Sequence, residues 1–336
     1  MPTDKERAVR AAVAWMERRQ VPLYLAGLAV GGVLGLTVPA VAGPAEHAIL
    51  PVLAVLLYAT FLGIPFASIA RALRDWRFLG TVLVVNFLVV PAVVFGLSRI
   101  VAHDRVLLVG VLFVLLTPCV DYVIVFCGLA GGSANRLLAA APVLMLAQMV
   151  ALPLYLWLFV GSEFVSTVEF GPFVEAFVVI ILTPLAAAGL TQLAAARSVV
   201  GSRVAQAVTD AMVPLMVVTL GVVVASQIAG VGERFGSLLL AVPVYLLFAA
   251  VMVPVGAVAG RIARLDVPGR RAVVFSGVTR NSLVVLPLVL ALPAAYDLAP
   301  LVVVTQTLIE LLVMVALVRL APLLVGDRGS APARSS

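Results

Sequence analysis

Three pairs of residues that disturb helices recur at one fixed distance along this chain. The second member of each pair lies 163 positions after the first (214 − 51, 254 − 91 and 281 − 118). The pairs are Pro51 and Pro214, Pro91 and Pro254, and Pro118 and Asn281. Because all six residues lie within long apolar segments, the sequence predicts a membrane protein built from two equivalent halves.

The composition also indicates a membrane protein. Of the 336 residues, 63% are hydrophobic and 11% are charged, and the mean hydropathy is +1.21. A soluble domain carries about 25% charged residues, so this chain has too few charges to cover a water-facing surface. The net charge of +6 does not indicate nucleic-acid binding, because the basic residues lie in short loops between apolar segments.

Ten apolar segments are long enough to cross a bilayer, which takes about 20 residues. These predicted spans are 22–42, 49–70, 78–98, 106–129, 137–160, 173–195, 207–229, 237–260, 272–294 and 299–324. Five spans precede the repeat point, so the second half enters the membrane from the opposite side. The predicted fold is therefore an all-α integral membrane protein with a five-plus-five inverted repeat, in which spans 4 and 9 are interrupted.

The sequence predicts one transporter domain over 1–336. Its repeat halves are 22–160 and 173–324, and 326–336 is a disordered tail. With the N-terminus inside, 18 basic residues lie in inner loops and tails and only three in outer loops. This split predicts a multi-pass protein of the cell inner (plasma) membrane with both termini in the cytoplasm.

The N-terminal region has two further expected features. Basic residues, an apolar run and then Ala40-Val41-Ala42 resemble a signal peptide, but the run is near 20 residues rather than 7–15. We therefore expect it to be retained as span 1. Residues 6–18 are expected to form a short helix on the inner surface.

Three charged side chains lie deep inside spans, at least eight residues from either end, namely Asp121, Arg280 and Glu310. A charge at the bilayer centre costs about 2.5–3.5 kcal/mol, so such residues are kept where they face a partner or a wet cavity. Asp121 and Arg280 lie beside the two matched interruptions, which are expected to cross. They are predicted either to act in substrate binding and coupling or to form a static ion pair. Glu310 is predicted either to couple protons or to accept a hydrogen bond from a freed backbone group.

The most polar stretch of each half lies at its interruption. Thr117, Pro118 and Cys119 stand in span 4, and Thr279, Arg280, Asn281 and Ser282 in span 9. Pro118 removes a backbone donor and frees carbonyls that can line a site. The candidate substrate-binding residues are Thr117, Pro118, Cys119, Arg280, Asn281 and Ser282, and the candidate proton-coupling residues are Asp121 and Glu310. We predict no catalytic residue, metal site or cofactor, and the chain has no phosphate-binding loop for ATP.

Other polar or small residues in spans are expected to serve packing. The residues predicted to form hydrogen bonds between helices are Asn86, Gln148, Gln227, Thr305, Gln306 and Thr307. Gly27, Gly31 and Gly35, four residues apart, are predicted to let span 1 approach a neighbouring helix closely.

These features resemble the bile acid:sodium symporter superfamily, which has ten helices in an inverted repeat and broken helices 4 and 9. Thr117-Pro118-Cys119 is similar to the Ala-Pro-Cys stretch of its arsenite-efflux permeases, and Leu308-Ile309-Glu310 to their acidic stretch on helix 10. The resemblance implies that Cys119 is needed for arsenite transport. Helix 9 differs, because Arg280 stands where the sodium-coupled branch has glutamine. A fixed cation repels sodium, which favours proton coupling.

Two transport functions and one other function follow as hypotheses. The first is proton-coupled export of arsenite, in which soft trivalent arsenic binds Cys119 and Asp121 carries the counter-moving proton. The alternative is an ion-coupled transporter of an organic anion, whose anionic group Arg280 binds. The third is a membrane sensor with a transporter fold. Either transporter would have a small-molecule substrate, a coupling ion and the lipid bilayer as partners.

Overall fold

The computed structural model describes residues 4–63, 74–120, 123–161, 177–228 and 235–326, and this part of the chain is helical and has no β-strand. In lipid, backbone groups must be satisfied within the segment, which favours helices for apolar sequence. The helices are α1 (Asp4–Arg18), α2 (Gln20–Thr37), α3 (Ala42–Gly63), α4 (Trp76–Val84), α5 (Val90–Ser98), α6 (Arg105–Leu115), α7 (Val123–Leu129), α8 (Ala134–Val160), α9 (Thr183–Ala195), α10 (Val199–Asp210), α11 (Met212–Gln227), α12 (Phe235–Ile262), α13 (Val267–Val278), α14 (Ser282–Leu290) and α15 (Ala299–Leu324). Val85–Val89 and Phe177–Leu182 are π-helical.

Within the described residues, five helical segments are long and apolar enough to cross a membrane. The number rises to seven if each of two bent helix pairs counts as one span. The prediction of ten spans is thus not confirmed, and the inverted repeat stays a prediction. One reason for the difference is physical: the interruptions leave α6 and α13 only 11 and 12 residues long. The several apolar helices do indicate a multi-pass membrane protein.

The two bends modify the predicted boundaries. The chain turns by 79° between α1 and α2, so the predicted N-terminal surface helix over 6–18 is a separate element at Asp4–Arg18. It turns by 46° at Ala211, between α10 and α11. Helix α11, which covers most of predicted span 7 at 207–229, begins at Met212, and α10 before it buries none of its residues.

The chain forms two compact units, and each draws on both predicted repeat halves. Unit 1 comprises Met1–Ile64, Ser166–Leu238 and Leu283–Val304, and unit 2 comprises Pro65–Val165, Leu239–Ser282 and Thr305–Ser336. The assignment of the chain to a single transporter domain stays a prediction. Residues 327–336, most of the predicted disordered tail, lie outside the described residues.

Close packing of α2 on α11 organises unit 1. A Cβ atom placed on Gly31 would lie 2.3 Å from the carbonyl oxygen of Gly221, and one on Gly27 would lie 2.8 Å from that of Val217. Gly35 is as tightly placed, with the Ala225 carbonyl oxygen at 2.6 Å. The prediction that these glycines allow close helix approach is confirmed, because any side chain there would meet backbone.

A π-helical turn shapes the middle of predicted span 3 in unit 2. Pro91 has no N–H, so it cannot bond the carbonyl four residues earlier, which is that of Phe87. The hydroxyl of Tyr155 on α8 donates to this freed carbonyl instead. The turn includes Asn86, whose side chain is fully buried.

Candidate functional site

The interruptions of predicted spans 4 and 9 meet directly in unit 2. Pro118 and Arg280 form an isolated antiparallel bridge. The Cys119 N–H donates to the Thr279 carbonyl at 3.3 Å, and the Asn281 N–H donates to the Thr117 carbonyl at 2.8 Å. The prediction that the two broken segments cross is confirmed, and the crossing is held by backbone hydrogen bonds.

Helix α6 ends at Leu115 and α13 at Val278, so both bring a C-terminus to this crossing. The hydroxyl of Thr117 donates to the Phe113 carbonyl and that of Thr279 to the Phe275 carbonyl, each at 2.8 Å. Each threonine thus satisfies one carbonyl in the last turn of its own helix. The other carbonyls there need further donors, because a helix leaves its last four carbonyls unpaired.

Arg280 supplies those donors. Its guanidinium is fully buried, with 0% exposure. Nη2 donates to the carbonyls of Ser276 at 2.7 Å and Gly277 at 2.9 Å, and Nη1 donates to the carbonyl of Leu115 at 3.3 Å. The positive charge therefore lies at the C-terminal ends of two broken helices, where the helix dipole favours a cation.

Asn86 and Phe248 complete the surroundings of the guanidinium. Asn86 Oδ1 accepts from Arg280 Nη2 at 2.8 Å, while its Nδ2 donates to Ser276 Oγ and to the Val82 carbonyl, each at 2.9 Å. The guanidinium carbon lies 5.4 Å from the centre of the Phe248 ring, within the range of a cation–π contact. The charge is thus solvated by protein oxygens and one ring.

Glu310 binds the other side of the same break. It is 3% exposed, and its Oε2 accepts the backbone N–H of Arg280 at 2.8 Å. The Gln306 side-chain amide, one turn earlier on α15, donates to the same oxygen. One of the two predicted possibilities for Glu310, acceptance of a freed backbone N–H, is therefore observed; its role in proton coupling stays a prediction.

The remaining candidate residues are also buried at the crossing. Cys119 is 1% exposed, and Asn281 and Ser282, which follow Arg280 on the other segment of the bridge, are also buried. Ser282 begins α14, and its hydroxyl accepts from that of Thr307 on α15 at 2.7 Å. Asp121 lies outside the described residues, so its predicted pairing with Arg280 stays a prediction.

The sequence did not predict two residues of this site that contact or orient the guanidinium. Asn86 and Ser276 orient the guanidinium, although Asn86 was expected only to join helices and Ser276 was not a candidate. A signal was present for Asn86, because it is a carboxamide five residues before Pro91 in an apolar segment. Ser276 carries no such signal, since serine occurs widely in membrane helices.

The model of the sodium bile acid symporter family matches residues 50–234. The chain belongs to the sodium bile acid symporter family. This membership indicates an ion-coupled membrane transporter with a small-molecule substrate. The match to the sodium bile acid symporter family includes the break at Thr117–Cys119 and ends before Arg280. No curated protein matches the chain.

Proposed function

We propose that the chain is a secondary transporter that binds its substrate where the two broken segments cross, and that this substrate is arsenite or a related trivalent metalloid. One observation carries the proposal: Cys119 lies at the crossing, where its backbone N–H bonds the Thr279 carbonyl. Trivalent arsenic is soft and prefers thiolate ligands. A thiol that replaces one hydroxyl of arsenious acid forms an As–S bond and releases water.

Coupling to protons is the second part of the proposal. Asp121 follows Cys119 by two positions, so its carboxylate would be close in sequence to the bound metalloid. In this proposal Asp121 carries a proton in the direction opposite to the movement of the metalloid. Glu310 is a second candidate, and its carboxylate lies at the crossing, where it accepts the Arg280 N–H. Protonation of Glu310 would weaken this contact, because a charged acceptor makes the stronger hydrogen bond. If these carboxylates take up protons when the metalloid leaves, the protein exports the metalloid in exchange for protons.

The alternative substrate is an organic anion. Membership of the sodium bile acid symporter family favours it, since the family name states such a substrate. The contacts of Arg280 count against an anion held by its guanidinium. Both terminal nitrogens donate to protein oxygens, and an incoming carboxylate would have to displace Asn86 or helix-terminal carbonyls.

The location of the protein belongs to the same proposal. We place it in the cell inner (plasma) membrane with both termini in the cytoplasm, on the strength of the 18 basic residues expected on the inner side against three on the outer side. Export from the cytoplasm then needs the crossing to open first to the inner side.

Arsenite accumulation in cells that lack their own efflux pump tests the substrate. Cells expressing the chain should accumulate less arsenite than empty cells, and Cys119→Ser should abolish the difference. Cys127→Ser is the matched control, because Cys127 is buried in the same predicted span but lies in α7, away from the bridge. Equal loss in both variants, or export by Cys119→Ser at the parent rate, would reject the metalloid site, provided that membrane levels are equal.

A further inference from the structure

The crossing contains oxygens of the kind that hold coupling cations. In transporters with discontinuous helices, unwound carbonyls and half-helix C-terminal ends coordinate Na⁺. Here the corresponding oxygens are the carbonyls of Leu115, at the end of α6, and of Ser276 and Gly277, in the last turn of α13. The side-chain oxygen of Asn86 lies with them, because it shares the same donor.

All four oxygens accept hydrogen bonds from one side chain of the chain itself. The guanidinium of Arg280 donates to them at distances between 2.7 and 3.3 Å. The group is fully buried, and the face of Phe248 covers it at 5.4 Å. Oxygens that would coordinate an ion are therefore occupied by a covalently attached cation.

We propose that Arg280 is a resident cation that replaces Na⁺ at the crossing, so that this site binds no Na⁺ and a Na⁺ gradient does not drive the transporter. The sodium implied by the family name does not fit the residues present. A second cation next to the guanidinium would be repelled, and it would find its ligands already used. Only the consequence for flux rests on the proposed transport function.

The charge at this place is also permanent. A guanidinium stays protonated at any physiological pH, unlike an ion that binds and leaves. The ends of α6 and α13 are therefore held together whether or not a coupling ion is present. In a sodium-coupled site, by contrast, ion binding itself would complete the crossing. In this chain, therefore, the two breaks are assembled independently of any coupling ion.

Thermal unfolding of the purified full chain in detergent tests the inference without any substrate. The apparent Tm of the parent protein should be equal in NaCl and in choline chloride at the same concentration. A Na⁺-specific rise in the Tm of the parent protein would overturn the proposal, because a ligand that binds only the native state raises the Tm.

The variant Arg280→Gln removes the resident cation and leaves the carbonyls and Asn86 in place. We expect its Tm to fall in choline chloride and to recover in NaCl by at least about 2 °C, a shift that ion binding of ordinary strength produces. A folded Arg280→Gln protein with the same Tm in both salts would overturn the claim that the guanidinium occupies the place of an ion.

Arg271→Gln is the matched control. Arg271 also donates to carbonyls at helix ends, those of Ala130 and Val325 at 3.1 Å each, but it is partly exposed. Water can replace its guanidinium there, so its loss should create no Na⁺ response. An equal Na⁺ response in both variants would overturn the proposal, because the effect would then not belong to the crossing.

If Arg280→Gln fails to fold, the same Tm comparison in NaCl and choline chloride is made with Arg280→Lys. Its ammonium keeps the charge, so the Tm should not respond to Na⁺; a Na⁺-specific rise would overturn the proposal. The proposed function fails separately, if the parent protein does not lower arsenite accumulation. If the parent protein exports no arsenite and Arg280→Gln nevertheless acquires Na⁺ binding, the assignment of Arg280 as a resident cation stands and the metalloid substrate is rejected.

Discussion

The carboxylate of Glu310 accepts the backbone N–H of Arg280 at 2.8 Å across 30 positions of sequence. Arg280 lies between the end of α13 and the start of α14, so its N–H has no place in a helix. A buried N–H that lacks an acceptor costs about 1–3 kcal/mol. Glu310 on α15 therefore stabilises the break in predicted span 9, while the side chain of Arg280 stabilises the ends of the two helices that meet there.

The first prediction concerns Glu310 as an acceptor. Glu310→Ala should lower the free energy of unfolding by about 1–3 kcal/mol or more, because it leaves the Arg280 N–H unpaired in a buried place. Glu310→Gln should lower it less, since the amide oxygen can still accept this N–H. The apparent Tm of the purified variants in detergent measures both effects. Equal losses would show that the charge of Glu310, rather than its acceptor oxygen, supports the break.

The location of the break was predictable, but most of its contacts were not. Pro118 and the polar stretch around Arg280 stand out in apolar sequence, and the 163-residue shift pairs them, so the crossing followed from residue types alone. Three of the four acceptors of the guanidinium are main-chain carbonyls. Every residue carries a carbonyl, so no residue type marks those that a break leaves free.

The number of membrane-spanning helices, by contrast, was not predictable from the hydropathy pattern. Hydropathy treats 106–129 and 272–294 as two continuous spans, whereas the structure divides the second into α13 and α14 around Thr279–Asn281. Bends divide other apolar segments into separate helices, as at Ala211 between α10 and α11. Hydropathy averages over a window, and a break of a few residues does not change that average. Its location must come from prolines and polar residues instead.

The second prediction compares two buried amides of unit 2. Asn86 uses both side-chain atoms in hydrogen bonds, one of them to a charged group. Asn86→Ala should therefore lower the free energy of unfolding by about 1.5–3 kcal/mol. Gln148 is 2% exposed, and neither amide atom has a hydrogen-bond partner within the described residues. Gln148→Met should thus leave stability unchanged or raise it, because it removes an unpaired polar group at similar volume.

The apparent Tm of both variants in detergent is again the measurement, with arsenite export as a second readout. A large loss of stability in Gln148→Met would show that its amide is bonded in the native protein. Normal stability with loss of export would instead assign Gln148 to the substrate path.

The third prediction concerns topology. If both termini are cytoplasmic, green fluorescent protein fused after Ser336 of the full chain should fluoresce, and alkaline phosphatase fused there should be inactive. A tag before Met1 should resist protease added to intact cells. Opposite locations for the two termini would mean an odd number of spans and would contradict the inverted five-plus-five repeat.

The fourth prediction compares two neighbouring glycines of α2. A Cβ atom on Gly31 would lie 2.3 Å from the Gly221 carbonyl oxygen, whereas the atom nearest to a Cβ on Gly32 is a side-chain methyl of Ile228 at 3.5 Å. Gly31→Ala must therefore push α2 away from α11, at a cost of about 1–3 kcal/mol. Gly32→Ala makes an ordinary van der Waals contact and should stabilise α2 slightly, because alanine is the better helix former. Thermal unfolding of both variants separates these effects, and similar Tm values would show that α2 does not lie against α11 in the native protein.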